Sequence, residues 1–167
     1  MSDEANELGE VLSFMRALWA VDHGLQSVSK RMEDRLGVTG PQRLVLRMIG
    51  RFPKIAAGEL AELLHVHPST LTGVLKRLEK RDMLVRKPDP GDARRALFVL
   101  TARGRAADQT RSGTVEAAVR RGIGLVSDSE RAVALKVLTV LVAELARDPD
   151  PQERPQRRKP SKSSRVR

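Results

Sequence analysis

The spacing of hydrophobic residues predicts that most of the chain is helical. From Leu8 to Leu36, apolar side chains recur every three or four positions, the period of an α-helix with one buried face. Gly24 interrupts this pattern and predicts a bend, and Gly37 is well placed to end the helix. Thr39-Gly40-Pro41-Gln42 is a start signal for a second helix with Pro41 at its first position, and Gly50 to Pro53 should end it.

Two short helices are predicted next, separated by a tight turn. The first covers about Ala57 to Leu64, and its Ala61 is small, as a close crossing between two helices requires. The turn is His65-Val66-His67, and Pro68 then opens a helix that runs to about Arg81. The buried stripe of this helix is expected to comprise Leu71, Val74, Leu75 and Leu78.

Two strand-like segments follow, at Leu84 to Lys87 and at Arg95 to Leu100. The residues between them, Pro88-Asp89-Pro90-Gly91-Asp92, are incompatible with a helix and predict a turn. Two helices followed by a β-hairpin are the layout of a winged helix-turn-helix, which reads duplex DNA.

Two more helices are predicted after the hairpin. Thr101 should cap a helix that runs to about Gly122 or Gly124, and Ser127-Asp128-Ser129-Glu130 should cap the last one. A small winged domain cannot cover all the apolar surface of these helices and of the first. We therefore expect a mainly α fold with a small β-hairpin wing, in which a helical dimerisation lobe pairs with a second copy.

These elements predict one domain over residues 1–147. Within it, the winged helix-turn-helix occupies about 41–101, and the dimerisation helices occupy about 5–36 and 102–147. The tail, 148–167, is rich in Pro, Arg and Ser with few apolar residues, and is predicted to be basic and disordered.

Composition narrows the class of protein. Aromatic residues make up only 2% of the chain, so the core must be aliphatic, which favours packed helices. There is no cysteine, and therefore no disulfide or thiolate metal site. No apolar run approaches the roughly 20 residues of a membrane span, and the acidic start MSDEANELGE lacks the apolar core of a signal peptide. We expect a cytoplasmic protein.

The net charge of +10 is concentrated in two places. Residues 68–106 hold ten Lys/Arg against four Asp/Glu, and the tail, 148–167, holds seven against three. The other two stretches, 1–67 and 107–147, hold fourteen of each sign and cancel. General solubility would not predict such concentration, whereas binding to the phosphates of DNA would.

No constellation for catalysis is found. His65 and His67 alone are a poor zinc set without cysteine or clustered carboxylates, and they are expected to be turn residues. Ser69 and Ser127 lack a recognisable base, and no Gly-rich phosphate loop is present. We therefore expect neither an enzyme, nor a metal, nor a cofactor.

One segment carries a family resemblance. LAELLHVHPSTLTGVLKRLEKRDMLVR, followed by DPGDARRALFVLTARGRA, resembles the MarR family of winged helix-turn-helix regulators. The wing has Asp92-x-Arg94 and ends in Leu100-Thr101 before a helix with Gly104. The sequence departs from the family pattern at three positions: His65 and Asp82 stand where Gly is frequent, and His67 stands at the N-cap.

The resemblance implies a homodimeric transcription regulator bound to a pseudo-palindromic operator, a repressor released by a small-molecule effector. It makes the helix from Ser69 to Leu78 the recognition helix, whose side chains would face the major groove and its phosphates: Ser69, Thr70, Thr72, Lys76 and Arg77. Arg94, held by Asp92, would enter the minor groove, and Arg95 would contact a phosphate. The alternative is that these charges are only solvated.

The resemblance also implies a crevice for a small aromatic or anionic effector between the helical and winged lobes. Its expected lining residues are Trp19, His23, Arg43 and Arg47. The alternative for Trp19 is packing in the core or at the dimer interface. Two other functions remain open: a sequence-tolerant architectural DNA-binding protein that relies on the basic tail, and an interaction module or enzyme built on a winged scaffold.

Overall fold

The structure, a computed structural model, describes residues 2–92 and 94–147, except for the side chains of residues 2–8. The chain divides into two compact units, Met1–Arg121 and Gly122–Arg167. The tail that was predicted to be disordered lies outside the described residues.

The predicted fold class is confirmed, because the described residues form mainly helices with one small antiparallel sheet. The helices are α1 (Ser2–Leu36), α2 (Gly40–Arg51), α3 (Ala57–Leu64), α4 (Pro68–Lys80), α5 (Ala102–Gln109), α6 (Val115–Ile123) and α7 (Asp128–Leu145). The strands are β1 (Ile55–Ala56), β2 (Leu84–Pro88) and β3 (Ala96–Leu100). None of the described helices is long and apolar enough to cross a membrane.

The sheet has the order β1-β3-β2, with both pairs antiparallel. Val85 faces Val99 in the β2–β3 hairpin, and Ile55 faces Phe98 in the β1–β3 pair. The hairpin was predicted, whereas β1 was not, because two residues carry no readable alternation. Strand β1 attaches the wing directly to the start of α3.

The core of the first unit lies between α2, α3, α4 and the sheet. Its buried members are almost all aliphatic: Val38, Val45, Leu46, Ile49, Leu60, Ala61, Leu71, Leu75, Leu78, Met83, Leu84, Phe98 and Leu100. Ala61 is buried as predicted for the crossing of α3 and α4. This core fixes the exposed side of α4 and the base of the wing as one rigid surface.

Helix α1 differs from its prediction in one respect. The break in helical geometry is at Gly9 (φ 70°, ψ 165°), whereas Gly24, which was expected to mark a bend, lies inside regular helix. Glycine in a helix interior costs only about 1 kcal/mol relative to alanine, so Gly24 weakens the helix without bending it. Gly37 ends the helix as predicted, with a φ of 70° and its N–H bonded to the Glu33 carbonyl.

Helix α2 begins at a reciprocal cap. Thr39 Oγ1 accepts the Gln42 N–H at 3.4 Å, and Gln42 Oε1 accepts the Thr39 N–H at 3.2 Å. The predicted start signal is therefore confirmed, although Pro41 is the second helical residue rather than the first.

The single helix predicted after Thr101 is wrong, because residues 110–114 separate α5 from α6. Helix α5 ends because Thr110 adopts an extended conformation (φ −60°, ψ 129°). Gly113 then has a φ of 67°, and Thr114 Oγ1 accepts the Ala117 N–H to start the next helix. The last helix is confirmed: Ser127 caps α7, and Glu130 closes the capping box.

Candidate DNA-binding interface

The turn between α3 and α4 depends on a left-handed residue. His65 has a φ of 51° and donates its N–H to the carbonyl of Glu62 at 3.1 Å. At the other end of α4, Asp82 has a φ of 55° and donates to the carbonyl of Glu79 at 2.9 Å. These are the two positions where the family frequently has Gly, and the backbone explains that preference.

The N-terminus of α4 is capped by a histidine. His67 Nδ1 accepts the Ser69 N–H at 3.3 Å and lies 2.7 Å from Ser69 Oγ. An imidazole nitrogen thus replaces the hydroxyl or carboxylate oxygen usual at an N-cap. Thr72 Oγ1 donates to the Pro68 carbonyl at 2.8 Å, which orients its methyl group and hydroxyl at the helix surface.

Helix α4 has one buried and one exposed face. Leu71, Leu75 and Leu78 are buried, and Val74 is half-buried, as predicted. All five predicted contact residues on α4 are exposed: Ser69, Thr70, Thr72, Lys76 and Arg77. The structure therefore places a polar, partly cationic strip of side chains opposite the core.

The wing tip is ordered by two aspartates. Asp92 Oδ1 accepts the backbone N–H of Arg94 at 3.0 Å, and Asp89 Oδ1 accepts the Gly91 N–H at 2.9 Å. Asp92 was predicted to hold Arg94, and the contact it makes is with the backbone of that residue. The Arg94 side chain is exposed at the tip.

Arg95 is held by carboxylates beside the wing tip. Its Nη2 lies 2.7 Å from Glu59 Oε1, and its Nε lies 3.9 Å from Asp89 Oδ2. Glu59 Oε2 also accepts the Ala56 N–H at 3.1 Å. The hydrogen bonds from Ala56 and then from Arg95 lower the pKa of Glu59, so this carboxylate is ionised at neutral pH. Sequence reasoning missed Glu59, although Glu at the third position of a helix is a capping signal.

Of the four residues expected to line an effector crevice, Arg43 and Arg47 lie in one ion-pair cluster with Glu116, whereas Trp19 and His23 lie on α1. Arg43 is only 2% exposed and its Nε donates to both carboxylate oxygens of Glu116. Its Nη atoms donate to the carbonyls of Ala107, Asp108 and Thr110. These bonds use the donors of the guanidinium, which therefore holds α2 against α5 and α6.

The other three residues are more exposed than Arg43. Arg47 Nη1 lies 2.8 Å from Asp108 Oδ1, in a second ion pair of the same cluster. Trp19 is 69% exposed and His23 is exposed on α1, so Trp19 is outside the core of the protomer.

A cavity of about 420 Å³ does lie in the first unit, between α1, α2 and α6. Its walls are mainly apolar, with two carboxylates: Asp22, Leu25, Gln26, Ser29, Gly40, Pro41, Leu44, Val66, Val115 and Glu116. None of the four predicted residues lines it, although Glu116 also pairs with Arg43.

Arg81, at the end of α4, binds the junction between α1 and α2. Its Nη1 donates to the Gly37 carbonyl and lies 3.3 Å from Gln42 Oε1, and its Nη2 lies 3.7 Å from Glu33 Oε1. The recognition-helix candidate is thereby fastened at its C-terminal end to α1.

The chain is similar to known proteins in both sequence and fold. Residues 36–95 match the model of the MarR family. An HTH-type transcriptional repressor of Mycobacterium tuberculosis is 35% identical over 86 residues, 52% of this chain and 62% of that protein. The organic hydroperoxide resistance transcriptional regulator of Bacillus subtilis is 31% identical over 87 residues, 52% of this chain and 59% of that protein.

These matches thus span 59–62% of the length of the two curated relatives, both of which are regulators rather than enzymes. The fold is similar to that of MepR from S. aureus in a structure with DNA, at a TM-score of 0.68 and 16% identity. That likeness covers 78% of this chain and 97% of MepR. The matched segment contains α3, α4 and β2, and over this part of the chain the sequence is similar to the MarR family.

Proposed function

We propose that this protein is a sequence-specific transcription regulator that binds double-stranded DNA as a homodimer and represses until a small molecule releases it. The observation that carries the proposal is helix α4, with three leucines anchored in the core and five polar side chains exposed on the opposite face. The regulators similar to it in sequence, and the MepR–DNA complex similar to it in fold, support the same conclusion.

The polar face of α4 suits a major groove. Ser69, Thr70 and Thr72 are short hydroxyl residues in the first turns of the helix, where the helix dipole favours phosphate and short side chains can approach base edges. Lys76 and Arg77 follow one turn later and are long enough to reach the flanking phosphates.

The wing suits the adjacent minor groove. Asp92 fixes the backbone at Arg94, so that the exposed Arg94 side chain projects from an ordered tip. A guanidinium is favoured in the narrow, electronegative minor groove of A·T-rich DNA. Arg94 is the wing residue that we assign to DNA contact.

The homodimer is proposed from apolar side chains that each unit leaves exposed. On α1 these include Val11, Leu12, Phe14, Met15, Trp19 and Val21; on α7 they include Val133, Leu135, Leu138, Val140, Val142 and Leu145. A second copy would cover these exposed apolar side chains. Two-fold symmetry would set the two α4 helices about 34 Å apart, one turn of DNA.

The effector is proposed to bind in the cavity beside α1 and α2. Its volume of about 420 Å³ and apolar walls suit a small aromatic molecule. Asp22 and Glu116 lie in those walls, and the charge of Glu116 is already paired with Arg43. The expected effector is therefore a small aromatic molecule.

The alternative function is sequence-tolerant DNA binding driven by the basic tail, 148–167, which carries a net charge of +4. Selection of binding sites from random duplexes by the full chain separates the two functions. A regulator enriches one pseudo-palindromic site and still prefers it when residues 148–167 are deleted. An architectural protein enriches no site and loses most of its affinity on deletion. The bound complex can then be challenged with a panel of small aromatic molecules.

A further inference from the structure

A groove of about 620 Å³ separates the exposed face of α4 from the wing. Charged side chains of both signs line it: Glu59, Glu62, Glu79, Lys76, Arg86, Arg94 and Arg95. A helix in the major groove and a wing in the neighbouring minor groove must straddle one phosphate strand, and that strand would pass along this groove. The carboxylates are therefore the unexpected feature, because they would repel phosphate.

Glu59 and Arg95 form an ion pair at this groove whose two ends are both held. Glu59 is oriented by the Ala56 N–H, which its Oε2 accepts at 3.1 Å, leaving Oε1 to face Arg95 at 2.7 Å. The backbone of Arg95 is fixed in turn, because its N–H donates to the Asp92 carbonyl at 2.9 Å and its carbonyl accepts the Asp89 N–H at 3.1 Å. Preorganised partners of this kind lose little conformational entropy when they pair.

We propose that Glu59 withholds Arg95 from DNA, so that the wing contacts DNA through Arg94 alone and the protein's sequence-independent affinity is limited. The inference rests on the proposed function. It assigns Arg95 a positioning role, in place of the phosphate contact that the sequence predicted, and makes Glu59 a determinant of specificity.

The physical reason is that two kinds of contact contribute differently to DNA recognition. Contacts to phosphate raise the affinity for every sequence, whereas contacts to base edges and groove shape discriminate between sequences. An arginine neutralised by Glu59 adds no cation to the phosphate strand and also cancels an anion that would repel it. The pair attaches the wing to α3. Because its two charges cancel, it adds no net charge to that part of the groove.

The salt dependence of binding distinguishes a withheld arginine from a direct phosphate contact. Removal of one phosphate contact makes the slope of log K against log salt shallower by about 0.9. Arg95→Ala alone would leave the Glu59 carboxylate uncompensated, and its repulsion of phosphate depends on salt, so the arginine is removed together with that charge in Glu59→Gln/Arg95→Ala. This double variant of the full chain should keep the wild-type slope on its selected duplex. Lys76→Ala, at a residue assigned to phosphate contact, is the positive control and should give a slope shallower by about 0.9 per protomer.

Removing the carboxylate gives the reciprocal test. Glu59→Gln keeps an oxygen for the Ala56 N–H but no charge for Arg95, so Arg95 becomes available to phosphate. We expect a severalfold higher affinity for an unrelated duplex, a slope steeper by about 0.9 per protomer, and a smaller preference for the selected site. Glu62→Gln is the matched control: it removes a carboxylate from the same groove that does not hold Arg95, and it should leave the slope unchanged.

The double variant Glu59→Gln/Arg95→Ala should return to wild-type slope and near wild-type affinity. Thermal unfolding of each variant verifies that the comparison is between folded proteins, as expected for side chains that are about half exposed. A shallower slope for the double variant, or an unchanged slope for Glu59→Gln, would overturn the inference while leaving the proposed function intact. Absence of DNA binding by the wild-type chain at low salt would overturn both.

Discussion

Arg43 on α2 and Glu116 on α6 form an ion pair in which the Arg43 Nε–H is shared by both carboxylate oxygens, at 2.9 and 3.1 Å. The guanidinium also bonds the last carbonyls of α5, so one buried side chain joins three helices. A buried charge is tolerated only when its hydrogen-bonding capacity is satisfied, as it is here. The pair explains why the chain places an arginine inside an aliphatic core.

Arg43→Ala should lower the free energy of unfolding by about 3 kcal/mol, because it strands Glu116 and several carbonyls without their donor. Arg47→Ala is the matched control, since Arg47 pairs with the same cluster from a side chain that is one-third exposed, and it should cost less than about 1 kcal/mol. Urea unfolding of both variants measures the difference. Equal losses in free energy of unfolding would show that the burial of Arg43 does not increase its contribution to stability.

Stability should depend on the ionisation of Glu116. Burial raises the pKa of this carboxyl, but hydrogen bonding to its own backbone N–H and the attraction and hydrogen bond of Arg43 outweigh burial and hold the pKa below 4.5. A lowered folded pKa means that the stabilisation is present at neutral pH and disappears as the pH falls through that value.

Glu116→Gln removes this titration. The wild-type chain should be more stable than the variant at pH 7, and the gap in free energy of unfolding should close as the pH falls below 4.5. Urea unfolding at a series of pH values measures the gap. A gap that stays constant from pH 7 to pH 3 would contradict the assignment.

Gly104 is expected to tolerate no side chain. A Cβ at this position would collide with the backbone carbonyl of Met83, where the start of α5 lies against the chain entering β2. Gly104→Ala should therefore lower the melting temperature strongly or prevent folding. Gly24→Ala is the control, because Gly24 is helical with open space around it, and that variant should be more stable by about 1 kcal/mol.

Replacing either of two residues with positive φ by glycine should stabilise the protein. His65→Gly and Asp82→Gly should each raise the free energy of unfolding by about 0.5–1 kcal/mol, since glycine adopts a positive φ without steric cost. Glu62→Gly, inside α3, should instead lower it by about 1 kcal/mol. Thermal unfolding checks the three signs, and a destabilised His65→Gly would show that the imidazole makes compensating contacts.

Local signals in the sequence were sufficient for most element boundaries. Helix α3 begins and ends where it was predicted, and the caps at Thr39, Thr101 and Ser127 all have their expected hydrogen bonds. Such signals depend on residues three or four apart, so a single sequence contains them.

The features that were missed depend on residues far apart in the chain. The break between α5 and α6 is stabilised by Arg43, more than sixty positions away, which donates hydrogen bonds to the freed carbonyls. The pairing of Arg95 with Glu59 joins residues 36 positions apart, and no local pattern in the sequence contains it. The exposed face of α4, in contrast, followed directly from helical periodicity.

The proposed function requires that two copies of this chain hold a matched pair of α4 helices against one DNA duplex. Analytical ultracentrifugation of the full chain at low ionic strength, alone and with a duplex selected from a random pool, measures this stoichiometry. We expect a dimer in the free protein and a complex of two chains per duplex. A folded monomer that sediments independently of the duplex would contradict it.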